Sequence, residues 1–144
     1  MFNYKKVLYA VDVNDEGLQR RLANIVEHTK KKQATLYIVT VHKTIFDYGY
    51  AAGISEQTPN EMVKKKVKEK FQELTKSYEH EPHVKIELIE ADGIAEGIIE
   101  YVENESVEQL IINGHHHGLL GRMGSVATKL VNNAPCDVVV LKHV

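Results

Sequence analysis

The residues best placed to do chemistry lie between Asn113 and Val126. Gly114, Gly118, Gly121 and Gly124 punctuate the stretch, and His115, His116 and His117 stand together inside it. The apolar run Leu110-Ile111-Ile112 precedes it, and a helical pattern opens at Gly124-Ser125. A strand that ends in a Gly-rich loop and feeds a helix N-terminus is suited to holding an anion. Outward-pointing N–H groups and the helix dipole both favour negative charge there. Asp12 stops the first apolar run and so stands at another strand end. It is a helix cap or turn former, or else a partner for a ligand in the same crevice.

Other chemistries fit less well. Three consecutive histidines point apart on an extended chain, and no neighbouring Cys or acid completes a tetrahedral set, so no metal site is expected. A loop imidazole that contacts a ligand or is simply solvated fits better, and Arg122 is equally a phosphate partner or an exposed cation. Ser125 lacks the nucleophile-elbow pattern and has no His–acid pair placed to activate it, so no catalytic residue is assigned. A cap or an anion ligand is the role expected of Ser125.

These residues need a frame. Val7-Leu8-Tyr9-Ala10-Val11, Ala34 to Val41, Val107 to Ile112 and Cys136 to Leu141 read as apolar, β-rich strands, and Val84 to Glu90 alternates like a half-exposed one. Between them lie four helical patterns. The first is capped at Asn14 or Asp15 and buries Leu18, Leu22, Ile25, Val26 and Thr29. The second runs from about Glu61 to Glu79, with Val63, Val67, Phe71, Leu74 and Tyr78 on one stripe. The third is capped at Asp92 or Gly93, with Glu96 in capping-box position and Ile94, Ile98, Ile99 and Val102 inward. The fourth buries Val126, Ala127, Leu130 and Val131. From His42 to Asn60 the pattern dissolves into a long loop carrying Phe46, Tyr48 and Tyr50. Its aromatics are expected to pack on the core, and Pro59 closes it.

Strict alternation of strands and helices over 144 residues predicts one α/β domain, 1–144, with a parallel sheet covered on both faces. In such sheets ligands sit beyond the carboxyl ends of the strands where the winding reverses. The net charge of −2 gives no bulk attraction to nucleic acid or membrane. The N-terminal apolar run is too short for a secretory core, and no stretch is long enough to span a bilayer. Cys136 is the single cysteine, so no disulfide framework exists, and a cytoplasmic setting is expected. It reads as a buried small hydrophobe.

Three segments carry a resemblance. Val7-Leu8-Tyr9-Ala10-Val11-Asp12, Gly93-Ile94-Ala95-Glu96-Gly97-Ile98, and Gly114-His115-His116 with Gly124-Ser125-Val126-Ala127 and Ala134-Pro135-Cys136-Asp137-Val138-Val139-Val140 together resemble the universal stress protein family. The resemblance spans nearly the whole chain. It implies a three-layer α/β/α domain with a five-stranded parallel sheet of order 3-2-1-4-5, four main helices, and a stress-response role. It also implies a crevice between strands 1 and 4 for an adenine nucleotide such as ATP, with or without Mg²⁺. Position by position, Gly114 would approach the ribose and phosphates, Gly124, Ser125 and Val126 would hold phosphate, Asp12 would meet the ribose, and Val41 would face the adenine. Ala10, Val11, Asn113 and His117 stand beside them.

The match departs from the nucleotide-binding pattern in the middle. His117 stands where the family has a second Gly, Val13 follows the acid where Gly is frequent, and Gly124 comes three residues early. That shortens the loop by about 10 Å of extended chain. A short loop with His after Gly is similar to the branch of the family that does not bind ATP. A nucleotide, a smaller anion, and an empty crevice in a purely structural dimer therefore all remain open. A slow ATPase ranks below them, because Asp12 alone offers a base or metal carboxylate. The resemblance further implies a homodimer through the final strand, 136–142, whose apolar edge would be a poor one to leave bare.

Overall fold

In the computed structural model, residues 3–46, 58–114 and 124–142 are described. Chain order is β1 (Lys6–Ala10), α1 (Leu18–Lys31), β2 (Thr35–Lys43), α2 (Pro59–Thr75) with a 3₁₀ turn at Lys76–Tyr78, β3 (Val84–Ala91), α3 (Ile94–Glu105), β4 (Gln109–Asn113), α4 (Ser125–Asn133) and β5 (Asp137–Leu141). The five strands form one sheet of order β3-β2-β1-β4-β5. Every neighbouring pair is parallel. The sheet order and the four-helix α/β architecture are those expected.

Two apolar layers sandwich the sheet. Under α1 and α2, Tyr9, Leu22, Leu36, Ile38 and Phe71 pack together; under α3 and α4, Leu8, Val39, Ile98, Leu110 and Leu130 do so. Central β1 supplies both layers from alternate residues, which is why its sequence is apolar throughout. Edge strand β3 alternates exposed Lys85 and Glu87 with half-buried Ile86 and Leu88, as its mixed pattern predicts.

The helix ends depart from expectation in ways that shape the crevice. α1 starts at Leu18, not at Asn14 or Asp15, behind Gly17 at φ 72°, a left-handed conformation that glycine adopts without strain. The displaced residues form a turn: the Asn14 N–H donates to Asp12 Oδ1 (2.9 Å) and the Asp15 N–H to Asp12 O (3.0 Å). Thus Asp12 is a turn former, not a helix cap. α2 starts earlier than read, because Thr58 and Glu61 make a reciprocal capping box and Pro59 takes the first turn, where its missing N–H costs nothing. It stops at Thr75, four residues short of the expected Glu79. Val63, Ile94 and Val131, expected inward, are partly exposed. Glu96 makes no capping box with Gly93; it pairs with Lys129 of α4 instead.

Close packing of α3 explains Gly97. A Cβ there would stand 2.8 Å from Ala91 Cβ and 3.3 Å from Val41 Cγ1, so only glycine lets the helix lie this near the ends of β2 and β3. No helix among the described residues is long and apolar enough to cross a membrane.

Candidate ligand-binding crevice

β1 and β4 are neighbours, yet their following helices cover opposite faces of the sheet. Their carboxyl ends therefore flank the point where the winding reverses, and a crevice of about 770 Å³ opens there. That volume lies within the range of small-molecule sites. Ala10, Val11, Asp12, Val41, Asn113, Gly124, Ser125 and Val126 all line it. Val13 lines it too, as a half-exposed β-branched wall. His117, with His115, His116, Arg122, Tyr48 and Tyr50, lies outside the described residues.

The floor is a fixed polar chain. Tyr9, fully buried, donates its hydroxyl to Asn113 Oδ1 (2.9 Å), and Asn113 Nδ2 donates to Asp15 Oδ2 (3.2 Å). A carboxylate only accepts, so this contact sets the orientation of the Asn113 amide. Burial pushes the Tyr9 hydroxyl pKa up, against a smaller opposite pull from the Asn113 bond. Lys70 of α2 reaches Asn14 Oδ1 (2.8 Å) and ties the β1 turn to the helix layer.

One wall is the end of β2, which outruns β1. The Val11 N–H still donates to Val39 O (2.9 Å), but the Val11 carbonyl is taken by the buried Thr40 hydroxyl (2.8 Å). Odd-numbered residues of β2 turn their amides toward β1, as the Thr35 N–H to Lys5 O bond shows, and even-numbered ones toward β3, as the Leu36 N–H to His83 O bond shows. Hence the N–H and C=O of Val41 point to the side where β1 has ended, and face the crevice outside the ladder.

The opposite wall is the start of α4. Gly124 caps it in an extended conformation without a side-chain bond, and no acid stands in the first turn. The first intrahelical bond runs from the Thr128 N–H to Gly124 O (3.0 Å), which leaves the N–H groups of Ser125, Val126 and Ala127 for solvent or an anion.

Gly114 meets a packing demand from the neighbouring strand. It does not line the crevice. Its N–H donates to Leu141 O (2.7 Å), and a Cβ would stand 2.9 Å from Val140 Cγ1. Glycine is required there by β5, and the amide continues the β4–β5 pairing.

One crevice residue, with the network behind it, escaped sequence reading. His42, 3% exposed, lies one residue past the predicted end of its strand, and its Nε2 meets Asn60 Oδ1 at 2.9 Å. Asn60 also receives the Ile45 N–H at Oδ1 (2.8 Å) and extends Nδ2 toward Glu90 Oε2 (3.5 Å). Lys64 pairs with Glu90 at 2.8 Å and, with help from the Thr44 hydroxyl, holds its carboxyl below the usual carboxylate range. This set joins the ends of β2 and β3 to the first turn of α2. No local signal marked it, since His42 and Lys43 are both polar and follow the apolar run directly. Among the described residues no group of three or more His, Cys, Asp or Glu could hold a metal ion. Cys136 is half-buried, and burial raises its thiol pKa.

Comparison with known proteins agrees with this geometry. Residues 3–142 match the model of the universal stress protein family. The chain is similar to universal stress protein A homolog 2 of Coxiella burnetii, at 25% identity over 99% of this chain and 97% of that protein. It shares its fold with the universal stress protein UspA of Lactobacillus plantarum (TM-score 0.64, 22% identity, 98% of this chain and 99% of that one). It also shares it with the universal stress protein of Archaeoglobus fulgidus solved in complex with dAMP (TM-score 0.62, 15% identity, 98% and 100%). A sheet of order 3-2-1-4-5 and a family match over almost every residue together place this chain in the universal stress protein family.

Proposed function

We propose that this protein is a binding module of the stress response whose crevice takes an adenine nucleotide, with the base against Val41 and a phosphate at the first turn of α4. The observation that carries the reading is the pairing of the two walls. An off-ladder peptide edge suits a base edge, and three unused helix N–H groups suit an anion. The dAMP held by the Archaeoglobus relative supports it. Because the Gly114 N–H is spent on Leu141, the start of α4 is the main-chain anion contact that the described residues offer, and a mononucleotide is the first ligand to try.

Calorimetric titration with AMP, and with ATP with and without Mg²⁺, tests this, alongside analysis of small molecules released from purified protein. Saturable binding of AMP or ATP is expected. No heat with either, and no co-purifying nucleotide, would leave a smaller anion or an empty crevice as the surviving readings. ATP turnover would replace the binding module with a slow ATPase.

The same proposal has the protein act in the cytoplasm as a homodimer joined through the final strand, 136–142. β5 is an edge strand, Val139 is 36% exposed on it, and no proline interrupts it.

A further inference from the structure

We propose that His42 Nδ1 is the acceptor that makes the crevice select purines bearing a 6-amino group over 6-oxo purines. The inference rests on the nucleotide reading above and adds to it a side chain that discriminates between bases.

Asn60 fixes which ring nitrogen of His42 carries the proton. A peptide N–H can only donate, so the Asn60 atom that receives the Ile45 N–H must be the amide oxygen. The same oxygen meets His42 Nε2, so Nε2 carries the proton. Neutral imidazole then has its lone pair on Nδ1. The ring is held in this state from behind, because Asn60 Nδ2 approaches Glu90, and Glu90 is paired with Lys64. Turning the ring over would set a lone pair against an amide oxygen.

Nδ1 itself has no hydrogen-bond partner among the described residues. No fully enclosed side-chain nitrogen or oxygen among those residues lacks a partner, so Nδ1 keeps an opening. The space that His42 borders is the crevice. An otherwise buried ring thus presents one acceptor to a largely apolar cavity, next to the free N–H and C=O of Val41. A ligand that displaces water from Nδ1 must replace its hydrogen bond or leave a polar atom bare. An exocyclic amine supplies the N–H. A 6-oxo group brings a second acceptor to the same place and is repelled.

The test compares AMP, inosine monophosphate and purine riboside monophosphate by calorimetry on the full chain. The last of these has hydrogen at position 6. Sites built around a hydrogen bond reject ligands that lack it strongly, so AMP is expected to bind at least about tenfold more tightly than either analogue. His42→Phe keeps a ring and removes the acceptor; it is expected to bind all three with similar affinity. Circular dichroism of that variant checks its fold, and a folded variant that keeps the AMP preference would overturn the role of His42. If it does not fold, His42→Gln, which offers a donor as well as an acceptor, takes its place and is expected to narrow the gap between AMP and inosine monophosphate. Equal binding of AMP and the 6-hydrogen analogue to the wild type would overturn the role of His42 and leave the nucleotide reading intact. Failure of all three to bind would overturn that reading, and this one with it.

Discussion

Asn113 occupies a position where side-chain geometry does two jobs at once. It accepts the hydroxyl of a fully buried tyrosine and, through Asp15, anchors the turn that carries Asp12. Asn113→Ala would strand the Tyr9 hydroxyl without an acceptor, and an unsatisfied buried group costs roughly 1–3 kcal/mol. We expect a loss of that size in urea unfolding. Most of it should be absent when the same change is made on a Tyr9→Phe background, where no hydroxyl remains to strand; an equal loss on both backgrounds would mean that Tyr9 is not the cause. At this scale the sequence was informative for Asp12, Asn113, Gly124 and Ser125, which all line the crevice. For Gly114 the structure supplies a packing reason that the sequence did not show. A glycine kept for a neighbouring strand and one kept for a ligand are spelled alike, and only the position of Val140 tells them apart. His42 was hidden for a related reason. Its partner Asn60 lies 18 residues away across a loop, and no local pattern joins them.

Among the elements, α2 buries little of its seventeen-residue length and is held in a distinct way by charge. Phe71 and Thr75 are its buried residues, both in its second half. Its first half is held by the Thr58–Glu61 box, by Asn60, and by Lys64 on Glu90. The Glu90 carboxyl titrates below its ordinary value, with Lys64 as the largest cause. A carboxylate whose folded pKa is depressed contributes stability above its unfolded pKa and loses that contribution as pH falls through the folded one. The stability that Glu90 adds should therefore fade across the acid carboxylate range. We expect Glu90→Gln to flatten this part of the profile, so that the variant loses less stability than wild type between about pH 5 and pH 3. Thermal unfolding across that range checks it, and identical slopes would show that the pair does not bind α2 to the sheet. Apolar periodicity located all four helices, because each must bury one stripe. It missed the start of α2, since Thr-Pro reads equally as the close of a loop and as a cap with its first residue. It misplaced the start of α1 because Asp12 drew Asn14 and Asp15 into a turn of their own.

For the molecule as a whole, alternation of strand and helix was enough for a parallel α/β sheet. The strand order came from resemblance, since each parallel connection could place its strand on either side of the last. The two edges of the finished sheet differ in character. β3 carries Lys85, Glu87 and Glu90, charges that discourage pairing, whereas β5 presents Val138, Val139, Val140 and Leu141. We expect light scattering at tens of micromolar to report a dimer, and Val139→Lys to shift it to monomer with the fold retained. A wild-type monomer under those conditions would refute pairing through 136–142.

β2 runs past the end of β1, and a main-chain group freed in this way has a genetic consequence. The N–H and C=O of Val41 belong to the backbone, so exchanging the valine for alanine, leucine or threonine leaves both in place. A library of point changes across the crevice would report at position 41 how the side chain packs beside α3, and would be silent on any ligand read through the backbone there. Of the twenty residues only proline lacks the amide hydrogen, and because this amide points away from β3, its loss would spare the ladder on that side. Neutral drift at this position therefore says nothing about whether the position is used.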